Sequence, residues 1–526
     1  MLKATGAAID SDTFARRSRV HMTEKSIIII GAGIAGLAAG CYAQMNGYRS
    51  QIFEMHDLPG GLCTAWQRKE YIFDGCIHYL FGSAPGRPFN RLWQELGALQ
   101  DRTILHHSEF MQVIGGDGRT LIAYCDPDRL ERHMLELAPA DARQIARFAD
   151  GVRSFMDFDM SAMKMTPPVL LGPTRGLGLA RKMLPFVGPL ARWGMLSAQD
   201  FGQRFTDPFL RRAIPLLFAW PEIPMVAALA LLAYMQIGNA GFPAGGSLEF
   251  ARAIERRYLA LGGEIHYKAQ VEKILVENDR AAGVRLYDDR EQRADVVISA
   301  ADGRSTIFDL LGGRYVDNAI RRIYDHHMPV HPVLQVSLGV DRDLADAPHW
   351  ATYLFDSPRL IAGADRHDIG VKHYCFDPSL APPGKSVLEL LLSTDYAYWQ
   401  NIYGRKLYDI EQIQVQNQFI GFLEECYPGV RQRVEVVDVA TPLSYERYTG
   451  NWQGSSCGWL LTKSTMQQML FGMRKTLPGL GNFHLIGQWV EPGGSVPLVA
   501  LSGRNVIQLL CHADGRPFVA NTPEGA

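Results

Sequence analysis

The chain has 526 residues, 47% hydrophobic and 21% charged, with a formal net charge of −2 at pH 7. That length gives two or three domains and room for a large core. The near-neutral balance argues against nucleic acid as the main partner. The eight cysteines are scattered, with no CxxC pair and no metal-like spacing. They read as free thiols in a reducing, cytoplasmic compartment, without a metal site.

Residues 1–24 are polar, carry Arg16, Arg17 and Arg19, and lack the apolar core of a signal peptide. They read as a disordered leader, with Met22 a candidate natural start. The stretch Lys25–Glu54 is the most informative in the chain. Ser26–Ile30 has the β-branched composition of a buried parallel strand. Gly31-Ala32-Gly33-Ile34-Ala35-Gly36 follows, then an Ala/Leu-rich helical segment and a second strand, Arg49–Phe53, ending in Glu54. Gly31 allows a tight turn, Gly33 lets backbone approach a pyrophosphate, and Gly36 lets the helix pack on the strand. The helix start offers free N–H groups to phosphates, and Glu54 offers acceptors to an adenosine ribose. A glycine-rich structural turn is the competing reading.

Next come His56-Asp57-Leu58-Pro59-Gly60-Gly61-Leu62-Cys63 and Tyr71-Ile72-Phe73-Asp74-Gly75-Cys76-Ile77-His78-Tyr79. A dinucleotide turn, a ribose acid, Pro-Gly-Gly and an aromatic-Asp-Gly segment together resemble the two-dinucleotide-binding flavoproteins. Among these the chain is most similar to the phytoene desaturase, carotenoid isomerase and retinol saturase group. FDGCIHYL resembles the retinol-saturase-like branch. The resemblance implies an α/β fold: a Rossmann-like FAD domain with an inserted α+β substrate domain. It also implies non-covalently bound FAD contacted by Gly31, Gly33, Ile34, Ala35, Gly36, Glu54, Met55, Gly60, Gly61, Leu62 and His78. The family usually carries Arg where Leu62 stands, which leaves Arg68 and Lys69 as the nearby cations.

Helical segments Asn90–Leu99 and Asp126–Asp150 and the apolar run Met225–Ile237 are expected in residues 89–240, the first part of the substrate domain. Met225–Ile237 is too short to span a bilayer and reads as a buried helix lining a greasy cavity. Within 160–199, Lys164, Arg175, Arg181, Lys182 and Arg192 accompany a stripe of Leu179, Met183, Phe186, Val187, Leu190 and Trp193. That combination reads as a segment docking on the cytoplasmic face of a membrane, kinked at Pro185 and Pro189, or else as a buried helical hairpin.

The cofactor domain, begun in 25–88, resumes over 241–311 with FPAGG, a helix Leu248–Leu261 and the strands Glu264–Tyr267, Val271–Glu277, Ala281–Leu286 and Ala294–Ser299. By resemblance, Val271 meets adenine through its backbone, and Ala300 borders the cofactor. Residues 312–479 return to the substrate domain, with strands Val333–Val340 and Ser386–Ser393 and a helix Tyr408–Tyr427. The stretch Thr441–Gly450 resembles a segment closing over the flavin; a surface loop is the bland alternative.

The last cofactor part, 480–515, has the strand Phe483–Ile486, a loop from Gly487 to Gly494, and a helix starting near Val496-Pro497, before a tail at 516–526. By resemblance, Gly487, Gln488, Gly494, Ser495 and Val496 hold the flavin end, with Gln488 where relatives often carry an acid. A helix start there stabilises negative charge on reduced flavin.

No second dinucleotide motif is present, so a quinone, oxygen or an electron-transfer protein is expected as the redox partner. The sequence leaves the oligomeric state open. The expected substrate is an apolar polyene or isoprenoid, desaturated, saturated or isomerised. His78, Tyr445, Tyr448 and Glu491 are the catalytic candidates. Their bland readings are a structural histidine, packing tyrosines and a loop-capping acid. An amine oxidase on the same fold, or a flavin-free prenyl-group carrier of the Rab-escort type, is the alternative; the intact glycines and Glu54 speak against the carrier.

Overall fold

The computed structural model describes residues 25–218, 220–325 and 328–523. The expected leader lies outside the described residues. A five-stranded parallel sheet forms the base, in the order Glu264–His266, Arg49–Phe53, Ser26–Ile30, Val296–Ser299, Phe483–Leu485. Its strands come from three distant parts of the chain, and the middle ones are near-continuous Val/Ile runs because both faces are covered. The helices Ile34–Met45 and Val496–Ala513 pack on one face, where Gly503 brings the two backbones together. A Cβ at Gly503 would lie 2.5 Å from the Ala35 carbonyl oxygen.

A large sheet forms the second layer. Its order is Val434–Ala440, Val330–Val340, Ser386–Ser393, Ala364–His373, Trp350–Ile361, Glu109–Ile114, Thr120–Tyr124, with Ser455–Trp459 paired to Val330–Val340. Residues directly opposite on neighbouring strands share a face. In this sheet that rule aligns Asp438, Ser337, Glu389, Lys372 and Trp350 in one row. Helices from residues 127–236 cover the end of this layer. Met225–Gln236 is the expected buried helix, with Leu229, Leu232 and Ala233 fully enclosed.

Several boundaries move for local reasons. The helix expected over Asp126–Asp150 is two helices, Pro127–Leu137 and Ala142–Ser154. Asp126 caps the first by accepting from the Arg129 N–H, and Pro139 separates them. The segment Thr441–Gly450 is the helix Pro442–Thr449, opened by a Thr441/Ser444 capping box and closed by Gly450 at φ 69°.

The basic segment is interrupted at Pro185, as expected, but its apolar residues are arranged differently. It is broken into Pro173–Met183, a turn Leu184–Phe186 and Val187–Trp193. Of the predicted apolar stripe, Phe186 and Trp193 face the protein: Trp193 is 1% exposed and packs against Phe201, and Phe186 packs against Phe158. Val187 of the stripe faces outward instead, beside Leu177 at 74% and Leu184 at 70% exposure, Val169 and Met195. The helix Pro173–Met183 has no buried residue. Among the described residues, no helix is long and apolar enough to cross a membrane.

His107, His331, His349 and His484 are folded into the interior as neutral rings. Burial holds His107, His331 and His484 down to about 4 and His349 to about 2, with neighbouring charges adding to the effect for all but His331. Because the unfolded chain takes up these protons first, their contribution is present above about pH 6.5 and lost as pH falls toward the folded values. Urea unfolding from pH 7 to 5 is expected to show stability falling, with a slope that approaches about 1.4 kcal/mol per pH unit for each such histidine once the pH is below about 6. His484→Leu should make that slope shallower by one histidine's share.

Candidate active site

The first glycine turn begins with backbone contacts. Gly31 sits at φ 97° and donates its N–H to the Phe53 carbonyl at 2.8 Å. A Cβ on Gly36 would lie 2.0 Å from the Gly31 oxygen, so only glycine lets the helix start this close. Gly33 caps the helix Ile34–Met45 in extended conformation without a side-chain bond, leaving first-turn N–H groups, including those of Ile34 and Ala35, without intrahelical acceptors. Gly60 bridges to Gly33, donates to Ala32 O at 2.9 Å, and brings Gly61 and Leu62 alongside that helix start.

Glu54 is buried, and both its oxygens hold backbone: Oε2 accepts from Ala32 N–H at 2.6 Å, Oε1 from His56 N–H at 2.8 Å. It therefore shapes the turn as well as offering its remaining lone pairs to a ligand. Ala269 donates to Glu54 O, and Lys268 to His56 O, which draws the strand starting at Val271 to the same edge, near Met55. Ala300 donates to Ile30 O and runs past Gly31.

At the other end, Gly487 donates to Ser502 Oγ, and the Gln488 amide donates to Asn451 Oδ1 at 3.0 Å. Gly494, at φ 51°, presses on the Cys457 backbone. Ser495, at the N-cap of Val496–Ala513, has a buried Oγ with no hydrogen-bond partner. Two helix starts with free donors, a carboxylate and an orphan hydroxyl fit FAD. Gly33 to Ala35 would take the pyrophosphate, Glu54 a ribose, and Gln488, Ser495 and Val496 the ribityl and flavin end. FAD supplies the hydride chemistry when bound. Arg68 and Lys69 do not replace the arginine missing at Leu62: Arg68 pairs with Asp438 at 2.7 Å, and Lys69 donates to Glu435 O.

The catalytic candidates separate. Cys76, His78, Tyr79, Tyr445 and Cys457 keep accessible surface, although burial dominates the titration of His78, Tyr79, Tyr445 and Cys457. His78 Nδ1 lies 2.7 Å from Lys372 Nζ, and Tyr445 donates to Gln335 Oε1 at 2.6 Å. Gln335 in turn donates to the Asp74 carbonyl.

Tyr448 stands apart: it is half exposed and meets His56 edge-on at 5.6 Å, beside the Glu54 end. Glu491 is held between Lys475 at 2.7 Å and Lys164 at 3.4 Å, an arrangement of a structural ion pair rather than a proton relay. Neither geometry supports a catalytic part, because Tyr448 faces outward and Glu491 is occupied by two cations.

Residues that sequence reasoning left unassigned complete the cluster. Lys372 lies opposite Glu389 in the sheet, yet no carboxylate among the described residues comes within 4.0 Å of its ammonium. Burial lowers Lys372 to about 8 and raises Glu389 to about 7. Burial, then the Lys372 charge, holds His78 well below its usual value. Asp74 accepts from Ser247 N–H and Oγ–H, both at 2.6 Å, and from Cys76 N–H at 3.0 Å. The signal in the sequence was a lysine inside the apolar run Ile369–Phe376.

Glu54→Ala is expected to loosen FAD by about one to two decades, the worth of a charge-assisted hydrogen bond. It should also lower the melting temperature of the FAD-free protein, since two backbone N–H groups lose their acceptor. FAD titration and melting curves of the stripped protein check both parts.

The pattern of flavin-containing amine oxidoreductases matches residues 34–510. Prolycopene isomerase 1 of an Oncidium hybrid cultivar is 25% identical over 502 residues, covering 91% of this chain and 82% of the relative. A lycopene-forming phytoene desaturase of a Paracoccus species is 25% identical over 511 residues, covering 92% and 97%. A solved oxidoreductase from Methanosarcina mazei has a TM-score of 0.57 at 20% identity, covering 92% of this chain and all of that one. With that match running from the first glycine turn to the last cofactor helix, the chain belongs to the flavin-containing amine oxidoreductase family and is an FAD-dependent oxidoreductase.

Proposed function

We propose that the enzyme acts on carbon–carbon bonds of a polyene or related isoprenoid, by desaturation, saturation or isomerisation. The observation that carries this reading is the wall beside His78. Aromatic rings follow one another from His78 to Trp350 at 5.2 Å, Phe110 at 5.5 Å, Tyr79 at 6.2 Å, Phe81 at 5.5 Å and Tyr234 at 5.1 Å. Phe110 and Tyr234 are buried, and Tyr79, Phe81 and Trp350 keep accessible surface to offer to an extended π system. The relatives named for prolycopene and phytoene support the same substrate class. A protonated amine is disfavoured, because the Lys372–His78 pair presents only donors and an ammonium accepts no hydrogen bond. The chain's own part is to hold the substrate flat, exclude water and keep His78 neutral.

Mixed anaerobically with polyenes of graded length, the FAD-loaded enzyme is expected to bleach, or to change double-bond geometry in the recovered polyene. Putrescine and other alkylamines should leave the flavin oxidised. Bleaching by amines alone would overturn the substrate class.

We further propose that the enzyme collects its substrate from a membrane surface through the outward face of residues 169–195. Exposed Leu177, Leu184 and Val187 stand among exposed Arg175, Arg181, Lys182 and Arg192. Apolar insertion and cation attraction to anionic lipid, about 1 kcal/mol per cation, act together there. The protein should float with anionic liposomes at low salt and less at high salt, and Leu177→Asp with Leu184→Asp should abolish flotation. Trp193 is turned inward, so its emission is expected to stay unchanged on docking.

A further inference from the structure

Lys372 is an ammonium in a wall otherwise made of rings. Its nitrogen lies 4.5 Å from the Tyr374 ring centre, 5.6 Å from Trp350 and 5.8 Å from Phe242. Its hydrogen-bond partner is His78 Nδ1 at 2.7 Å. An ammonium has only donors, so Nδ1 must accept, and the neutral ring then carries its proton on Nε2. Among the described residues no protein group accepts from Nε2, and His78 keeps accessible surface deep inside the protein. Lys372 thus fixes a histidine that can donate from Nε2.

A wall built only for hydrocarbon has no use for this arrangement. A buried ammonium without a close carboxylate costs several kcal/mol, and an apolar residue of similar volume is commonly as stable or more so. The charges around it also limit what the donor can receive. Glu389 faces Lys372 across the sheet, with Oε2 accepting from Tyr374 OH at 2.9 Å. Asp74 is buried on the hairpin side, held by Ser247 and Cys76. His107, His349 and His373 add no positive charge near neutral pH, because burial holds all three below the usual histidine value. Glu389 and Asp74 offset the ammonium's charge without touching it, so the donor is matched to a neutral oxygen acceptor rather than to an ion.

We propose that His78, locked as its Nε2–H tautomer by Lys372, is the hydrogen-bond donor for a neutral oxygen function, a carbonyl or hydroxyl, on an otherwise apolar polyene. This rests on the polyene reading and deepens it: the substrate is an oxygenated polyene, His78 is its binding residue, and Lys372 is a positioning residue.

The test uses the FAD-loaded enzyme and two probes of equal length, an all-trans polyene hydrocarbon and its terminal aldehyde. Dissociation constants come from tryptophan quenching and from the shift of the flavin spectrum. The wild type is expected to hold the aldehyde at least tenfold tighter than the hydrocarbon. Lys372→Met and His78→Leu should bring that ratio close to one, while His78→Gln, whose amide still donates, should keep part of it. A purely structural histidine would change both affinities together and leave the ratio alone. Equal affinities in the wild type would overturn the proposal and leave the polyene reading standing. Failure of both probes to bind an enzyme that retains FAD would overturn both. If Lys372→Met loses FAD, the wild-type ratio and the His78→Leu against His78→Gln contrast decide.

Discussion

The buried carboxylate of Asp74 is the pin on which the two halves of this molecule turn. It gathers the Ser247 N–H and hydroxyl and the Cys76 N–H, and so binds the hairpin Ala65–Asp74 to the start of the helix Gly246–Ala260. The approach is so close that a Cβ on Gly246 would lie 2.4 Å from Asp74 Oδ2. The Asp74 carbonyl also takes the Gln335 amide, which sits on the strand Val330–Val340 of the large sheet. One residue therefore fixes the cofactor layer, the substrate layer and the segment that leads to His78. Burial raises the Asp74 carboxyl, and its three donors pull it back. Loss of any one of them would leave a carboxyl in the interior short of partners.

A second tie runs through the helix Val496–Ala513. Arg504 pairs with buried Glu95 at 3.1 Å, which also accepts from Tyr42 OH, and its other nitrogen donates to the Met165 carbonyl. Asn505 donates to the Lys164 carbonyl, and Lys164 reaches Glu491. The outward basic segment is thus anchored at its root to the helix whose start meets the flavin end. The anchor uses backbone carbonyls for two of its three contacts, so it constrains the path of the chain more than the identity of its side chains.

The parts of the fold legible in the sequence are those whose demands are local. Gly36 and Gly60 are needed because backbone oxygens stand where a Cβ would be, and Gly31 because its φ is 97°, and such demands leave a fixed spacing. The parallel strands read correctly because burial on both faces leaves an unbroken Val/Ile run. Lys372 was invisible because its meaning lies 294 residues away, in His78, and in a register that no local pattern encodes. The stripe through Phe186 and Trp193 had the right period and the wrong partner. Helical periodicity says which residues share a face, but not whether that face meets lipid or protein. Thr441–Gly450 was obscured by its tyrosines, whose helix propensity is modest; the Thr441/Ser444 cap and Gly450 stop define the helix instead.

The row Asp438–Ser337–Glu389–Lys372–Trp350 has a consequence for how this enzyme can diversify. Side chains alternate along a strand, so losing one residue from Ala364–His373 upstream of Lys372 would turn the lysine to the opposite face and present a neighbour to His78. Insertions and deletions are therefore barred from the strands of the substrate wall, while the Ala362-Gly363 turn can absorb them. Lineages descending from such a chain would change substrate by exchanging side chains in the row and would change length only at its turns.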